Sequence, residues 1–307
     1  MGISLPPCGV GREFSLPRLR GRVGVGALLA LLLSACGAVA APSNPATGQS
    51  GSQLQAEVVA SEVVIGAQQR VPIGILDHNT PVSDATVHVR SFVLNGTTGT
   101  FKGESDAPFK GDGLQGGGTY VAHLTFDKAG DWGLELTASR PNGAHTTVRI
   151  PMNVLALPVV PGVGQPAPAT RNPTVRDVAD VETIDSGRPP DDMHQISIAD
   201  AIQQHRPALV VFATPAFCTS NTCGPEVKVV QGLEPTYRDR LAFIHVEIYR
   251  DFKPDPSKKQ LAQAVVDWRL QTEPWIFLID SKGIIQARFE GPTASDEVKA
   301  SIDQLFR

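Results

Sequence analysis

The chain is poor in cysteine, with four in 307 residues, and two of these, Cys8 and Cys36, fall close to the N-terminus. A single thiol pair, Cys218 and Cys223, is left for the body of the protein. The chain also lacks a basic excess: 27 lysines and arginines stand against 31 acidic residues, a formal net charge of −4. That balance leaves no electrostatic footprint for nucleic acid, so nucleic acid is not expected as a partner. Long apolar runs are missing too. Beyond Cys36 no stretch approaches the ~20 apolar residues that cross a bilayer as a helix. The run over residues 23–33 is only eleven long and follows Arg12, Arg18, Arg20 and Arg22. A basic head followed by a short apolar run marks a cleaved export signal.

The signal ends in Leu33-Ser34-Ala35-Cys36, which resembles the box of bacterial lipoproteins. The resemblance implies acylation of Cys36, which becomes the new N-terminus, and a lipid-anchored protein at the cell membrane, facing the extracytoplasmic side. The plain alternative is an ordinary signal cleaved near residues 38–41. Either way Cys8 leaves with the leader, and disulfides can persist in the destination compartment. With the leader's four arginines and one glutamate removed, the formal charge becomes −7.

Composition divides the remainder. Residues 36–54, rich in Ala, Pro, Ser, Gly, Gln and Asn, read as a flexible tether after the 1–35 leader. A Pro-rich stretch near residues 157–168 opens a linker extending to 189, which separates two pieces of ordinary domain size, 55–156 and 190–307. The chain is therefore expected to be multidomain. In the first piece Tyr120, Ala122, Leu124 and Phe126 alternate with their neighbours, as do Trp132, Leu134, Leu136 and Ala138, and Val148, Ile150, Met152 and Val154. Period-two segments separated by Gly-rich and Asn turns predict an all-β antiparallel sandwich. Gly118-Thr119-Tyr120-Val121-Ala122 and Ala129-Gly130-Asp131-Trp132 resemble immunoglobulin-like modules of bacterial envelope proteins. Four histidines, His78, His88, His123 and His145, lie here without a cysteine or methionine cluster, and no metal site is assigned to them.

The second piece alternates strand and helix. Strands are expected at 208–213, 241–247, 275–279 and 284–289, and helices at 226–237, 260–268 and 296–305, a pattern that demands a sheet covered by helices. Cys218 and Cys223 follow the first strand and precede the first helix. Unpaired amides and the macrodipole at a helix N-terminus favour a thiolate, the reactive form of cysteine, so thiol–disulfide chemistry is expected there. In an unbroken helix, residues five apart lie farther from each other than the ~7 Å limit for a disulfide. The pair is thus expected to sit partly in a loop, with Pro225 at the first helical position.

This order of parts, with Thr272-Glu273-Pro274 ahead of a hairpin and a last helix, resembles the thioredoxin fold. The resemblance implies an α/β domain with Cys218 as nucleophile, Cys223 as resolving thiol and Pro274 as the proline facing them. It implies protein thiols or disulfides of the cell envelope as substrates, and no cofactor. The chain departs from the family in its four intervening residues and in having Val210 and Val211 where an acidic residue is buried. A four-residue gap also resembles peroxiredoxins of the Q type, but Val211 and Pro215 occupy the positions of their essential proline and threonine. A third reading makes Cys218–Cys223 a structural disulfide in a redox-inactive binding module. His205 and His245 are nearest the pair in sequence, His245 reading as a core residue. Trp275 reads as core as well, while Asp267 and Glu273 are candidates for tuning a thiol pKa.

Overall fold

The computed structural model describes residues 54–96 and 98–307. The expected leader, Cys36 and all of the expected tether but Leu54 lie outside them. Ten strands build the first half: β1 (Gln55–Val58), β2 (Val63–Val64), β3 (Gly66–Asp77), β4 (Thr80–Pro81), β5 (Thr86–Asn95), β6 (Thr98–Asp106), β7 (Phe109–Lys110), β8 (Thr119–Phe126), β9 (Gly130–Ser139) and β10 (His145–Leu155). They form two five-stranded sheets, one ordered β1-β3-β8-β7 with β4 on β3, the other β2-β10-β9-β5-β6. Period-two side chains put Val87, Val89, Trp132, Leu134, Leu136, Tyr120, Leu124 and Phe126 into one shared core. Trp132 meets Phe126 edge to face at 5.0 Å and donates its indole N–H to Lys128 O. Each large apolar side chain fully buried in this way contributes about 1.5–3 kcal/mol. The core begins one residue earlier than expected, because Leu54, assigned to the tether, is 1% exposed within it.

The second half holds α1 (Ile198–Gln203), β11 (Ala208–Ala213), α2 (Cys223–Tyr237), β12 (Ala242–Glu247), β13 (Tyr249–Arg250), β14 (Gln260–Leu261), α3 (Gln263–Asp267), β15 (Trp275–Ile279), β16 (Ile285–Glu290) and α4 (Ser295–Leu305). Its sheet runs β12-β11-β15-β16, with β11 and β12 parallel and the other pairs antiparallel. Every residue of β11, β12 and β15 is buried, because apolar side chains cover both faces. Val210, Phe212, Trp268 and Phe277 fill one face, and Leu209, Val211, Cys223, Val227 and Ile276 the other.

Three expectations need correction. The expected helix at 260–268 is shorter, since Gln260–Leu261 pairs with Tyr249–Arg250 before α3 begins at Gln263. Residues 157–189 are not an open linker. Val160 and Ala167 are buried in the second core, Pro166 bridges to Ile284, and Thr170, Asn172, Asp185 and Ser186 are buried as well. Proline ends regular structure but does not prevent packing, so this segment wraps the body that was expected to start at 190. The two halves also touch closely. Arg70 of β3 donates to Glu297 of α4 at 2.8 and 3.2 Å and to the carbonyls of Glu290 and Pro292. Leu114, from the turn before β8, is buried in the core that holds Cys223. Among the described residues no helix is long and apolar enough to cross a membrane.

Candidate active site

Cys218 sits in the loop after β11, its N–H donating to Thr214 O at 3.1 Å, and α2 begins at Cys223. The helix therefore starts three residues earlier than expected, and Pro225 is its third residue, not its first. The change is tolerated because the first four amides of a helix have no intrahelical acceptor. Asn221 has a left-handed φ of 58°, a conformation that asparagine adopts more readily than most residues, and it turns the chain between the two sulfurs. Both cysteines are free thiols, Cys218 half-buried and Cys223 fully buried.

The sulfur of Cys218 occupies the place of a helix cap. Thr222 stands at the N-cap position, yet its hydroxyl makes no capping bond. Instead the Cys223 N–H donates to Cys218 Sγ at 3.3 Å, Ser220 Oγ lies 3.2 Å from it and Thr222 Oγ1 3.9 Å. The Cys223 thiol and these donors stabilise negative charge on Cys218 and outweigh desolvation, bringing its pKa down to about 4. Cys223 moves the opposite way: its hydrogen bond to Cys218, burial and the charge of Glu273 all raise its pKa. The pair is asymmetric, one thiolate at neutral pH beside one buried thiol.

Pro274, preceded by a cis peptide bond, stands immediately before β15. Glu273 lies close enough for burial and the Cys218 charge to raise its own pKa. Asp267 is elsewhere, accepting from Thr170 Oγ1 at 3.0 Å and from Gln263. His205 is exposed at the end of α1, near Ser281 O, and Trp275 is core, stacked on Phe277. Ser220 and Thr222, which sequence reasoning passed over as spacer, are the hydroxyls that solvate the sulfur. Their signal was chemical only: two hydroxyl residues between two cysteines.

A groove of about 500 Å³ runs past this loop. Ser220, Thr222 and Glu273 line one side, and Glu57, Phe109 and Tyr120 of the β-sandwich line the other. The first half thus supplies a wall of the cleft that runs past the loop carrying Cys218.

An acidic residue is also buried beside the thiol pair, on α2 itself and not on β11, where Val210 and Val211 stand. Glu226 is 0% exposed, accepts from the Thr293 N–H at 3.1 Å, and its Oε1 has no partner among the described residues. Burial raises its pKa to about 8, so it is largely protonated at neutral pH. His245 of β12 belongs to a further buried group with Asp185, Asp191 and His194. Burial alone would lower its pKa, but the Asp191 hydrogen bond and the surrounding carboxylates carry it up to about 9. The four sandwich histidines do not converge: His88 pairs with Asp106 and Glu104, His78 with its neighbour Asp77, and His145 with Gly143 O.

No family model matches the chain, and no curated protein matches it. Among solved structures, a protein assigned as a thiol:disulfide interchange protein, DsbE, of Chlorobium tepidum is similar at 16% identity and a TM-score of 0.29, covering 36% of this chain and 86% of its own. StoA from Bacillus subtilis is similar at 17% identity and a TM-score of 0.28, covering 39% and 94%. Murine CRIg is similar at 12% identity and a TM-score of 0.23, covering 34% and 99%.

Proposed function

We propose that the protein is an extracytoplasmic thiol–disulfide oxidoreductase of thioredoxin type, with Cys218 as nucleophile and Cys223 as resolving thiol. The observation that carries this reading is the asymmetry of the pair, one sulfur half-exposed and held as a thiolate, the other buried and held as a thiol. The strand order β12-β11-β15-β16, with the thiols between β11 and α2 and Pro274 entering β15, supports the thioredoxin-like assignment. The two-sheet half is read as an immunoglobulin-like module. The leader and Cys36 are read as export and lipid anchoring, which would place the site in the cell envelope.

In the reducing direction the Cys218 thiolate attacks a substrate disulfide, forming a mixed disulfide and releasing one substrate thiolate. Cys223 then loses its proton and attacks Cys218 Sγ, closing the intramolecular disulfide as the second substrate thiolate departs and takes up that proton. Two electrons pass to the substrate, and every step is reversible. Because the thiolate stabilises the dithiol form, the couple is drawn toward oxidising potentials, which favours the reverse flow. The groove beside Cys218, with one wall from the sandwich, is read as the place where a cysteine-bearing segment of the substrate lies.

The test is a trapping experiment. Cys223→Ser should accumulate a mixed disulfide between Cys218 and substrate protein, because nothing remains to resolve it, while Cys218→Ser should accumulate little. Equal trapping by both variants, or none by either with both thiols refractory to alkylation in the native protein, would replace this reading with that of a structural pair.

A further inference from the structure

We infer that Asp185, Asp191, His194 and His245 form a four-coordinate site for a divalent transition metal ion, of the kind that binds zinc. One ligand atom from each side chain lies within 4.8 Å of the other three. His194 Nε2 is 3.2 Å from Asp185 Oδ2 and 3.5 Å from Asp191 Oδ1, and His245 Nδ1 is 2.8 Å from Asp191 Oδ2 and 3.9 Å from Asp185 Oδ2. Zinc bonds near 2.0–2.2 Å in a tetrahedron put ligand atoms roughly 3.4 Å apart. The cluster is already close to that spacing, so small shifts would complete it.

The surroundings fit a ligand set. His245 directs its other ring nitrogen, Nε2, at Ala213 O at 3.3 Å, the backbone contact that commonly orients a metal-bound imidazole. Asp185 accepts from the amides of Gly187 and Asp191, and Asp191 from that of Met193, which fixes both carboxylates. Charge points the same way. Glu247 is buried nearby, its carboxylate accepting from the Ser186 amide at 2.9 Å. Among the described residues no lysine or arginine forms an ion pair with Asp185, Asp191 or Glu247; the histidines are the only cationic partners. Buried carboxylates need compensation, and a divalent ion at the point where two of them meet two imidazoles would supply it. A cavity of about 60 Å³ lined by His194, His245 and Glu247 provides an approach.

Four protein ligands leave no open position, so the site is a structural one. Its place suggests what it holds. Ser186, next to Asp185, accepts the Ala216 N–H through Oγ at 3.1 Å, and His245 reaches Ala213 O, so both ends of the 213–216 loop that delivers Cys218 rest on this cluster.

The experiment uses the full chain without a histidine tag and with all four cysteines, Cys8, Cys36, Cys218 and Cys223, replaced by serine, so that no thiolate can bind the ion. Zinc retained after dialysis is expected at about one ion per chain. Cobalt titrated into the chelator-stripped protein should give the intense visible bands of a four-coordinate site, without sulfur charge transfer. Asp191→Asn or His194→Gln in that background should weaken binding at least about tenfold, whereas His88→Gln on the sandwich should leave it unchanged. Failure of the stripped parent to bind either ion would overturn the proposal and leave a proton-sharing network. Binding that is indifferent to Asp191→Asn and His194→Gln would overturn it too. Should those variants misfold, the cobalt spectrum of the parent decides by itself, since a six-coordinate spectrum excludes the site.

Discussion

The two halves of the molecule bury their strands differently, and the difference explains where the chemistry sits. In the sandwich, β9 alternates Trp132, Leu134, Leu136 and Ala138 inward with half-exposed or exposed neighbours, so its charged groups face water. There Glu135 is paired with Arg90 and Arg149, and the Arg149 hydrogen bond leads the lowering of its pKa. In the second half β11, β12 and β15 have no outward face at all. A polar residue in or against such a sheet must find partners inside, and the pKa of Glu226 or His245 then departs far from its ordinary value. A sheet covered on both sides perturbs its few polar groups, whereas a sandwich with wet outer faces spreads its many.

The largest effect that would break this contrast concerns the seam between the halves. Arg70→Ala should cost about 3–5 kcal/mol in urea unfolding, because it strands the half-buried Glu297 carboxylate and the Glu290 and Pro292 carbonyls. A loss below about 1 kcal/mol would mean that the halves stand independently.

Next comes the pH dependence of Glu226, whose neighbours are Thr293, Arg70 and Glu297. Its folded pKa of about 8 exceeds the ordinary value of 4.5, so between them the folded state holds a proton that the unfolded state has released. This contribution to stability is complete below the unfolded pKa and is lost as pH rises through the folded one. Relative to Glu226→Gln, the parent should lose about 1.4 kcal/mol per pH unit between roughly pH 5 and 8. Glu135→Gln should show the opposite and smaller trend. There the lowered pKa stabilises the parent above the unfolded pKa, and the advantage disappears as acid titrates the folded carboxylate. Parallel pH profiles for the two variants would erase the distinction between the halves.

The smallest effect sharpens the picture of the thiols. Alkylation of Cys218 in Cys223→Ala reports the thiolate without its buried partner, and its midpoint should lie above the value of about 4 found with Cys223 present. An unchanged midpoint would show that the helix amide and the hydroxyls of Ser220 and Thr222 suffice.

The periodicities were legible. Alternation at residues 120–126 and 132–138 marked β8 and β9, and the apolar run at 208–213 marked β11. The first residues of the twelve-residue β3 and the largely exposed β6 were missed, since Gly66 to Arg70 and Thr98 to Asp106 carry no clean apolar alternation. The start of α2 was misread because Pro225 was taken as the first residue of the helix, when any place in the first turn costs it no hydrogen bond. Asp185 gave no signal because it lies in the segment expected as a linker, and Asp191 and His194, just past its end, stand about fifty residues from His245 with no motif spacing to join them.

By itself the sequence determined that one thiol pair lies between a buried strand and a helix, that alternating strands precede it, and that a short apolar run stands before both. Those are local facts, set by side-chain period, by turn residues and by cysteine count. Only the tertiary structure decided which sulfur is ionised, that Glu226 keeps its proton, that the sandwich walls the groove, and that two aspartates meet two histidines across 60 residues of chain. These depend on burial and on distances between segments far apart in sequence, and electrostatic energies change severalfold with both.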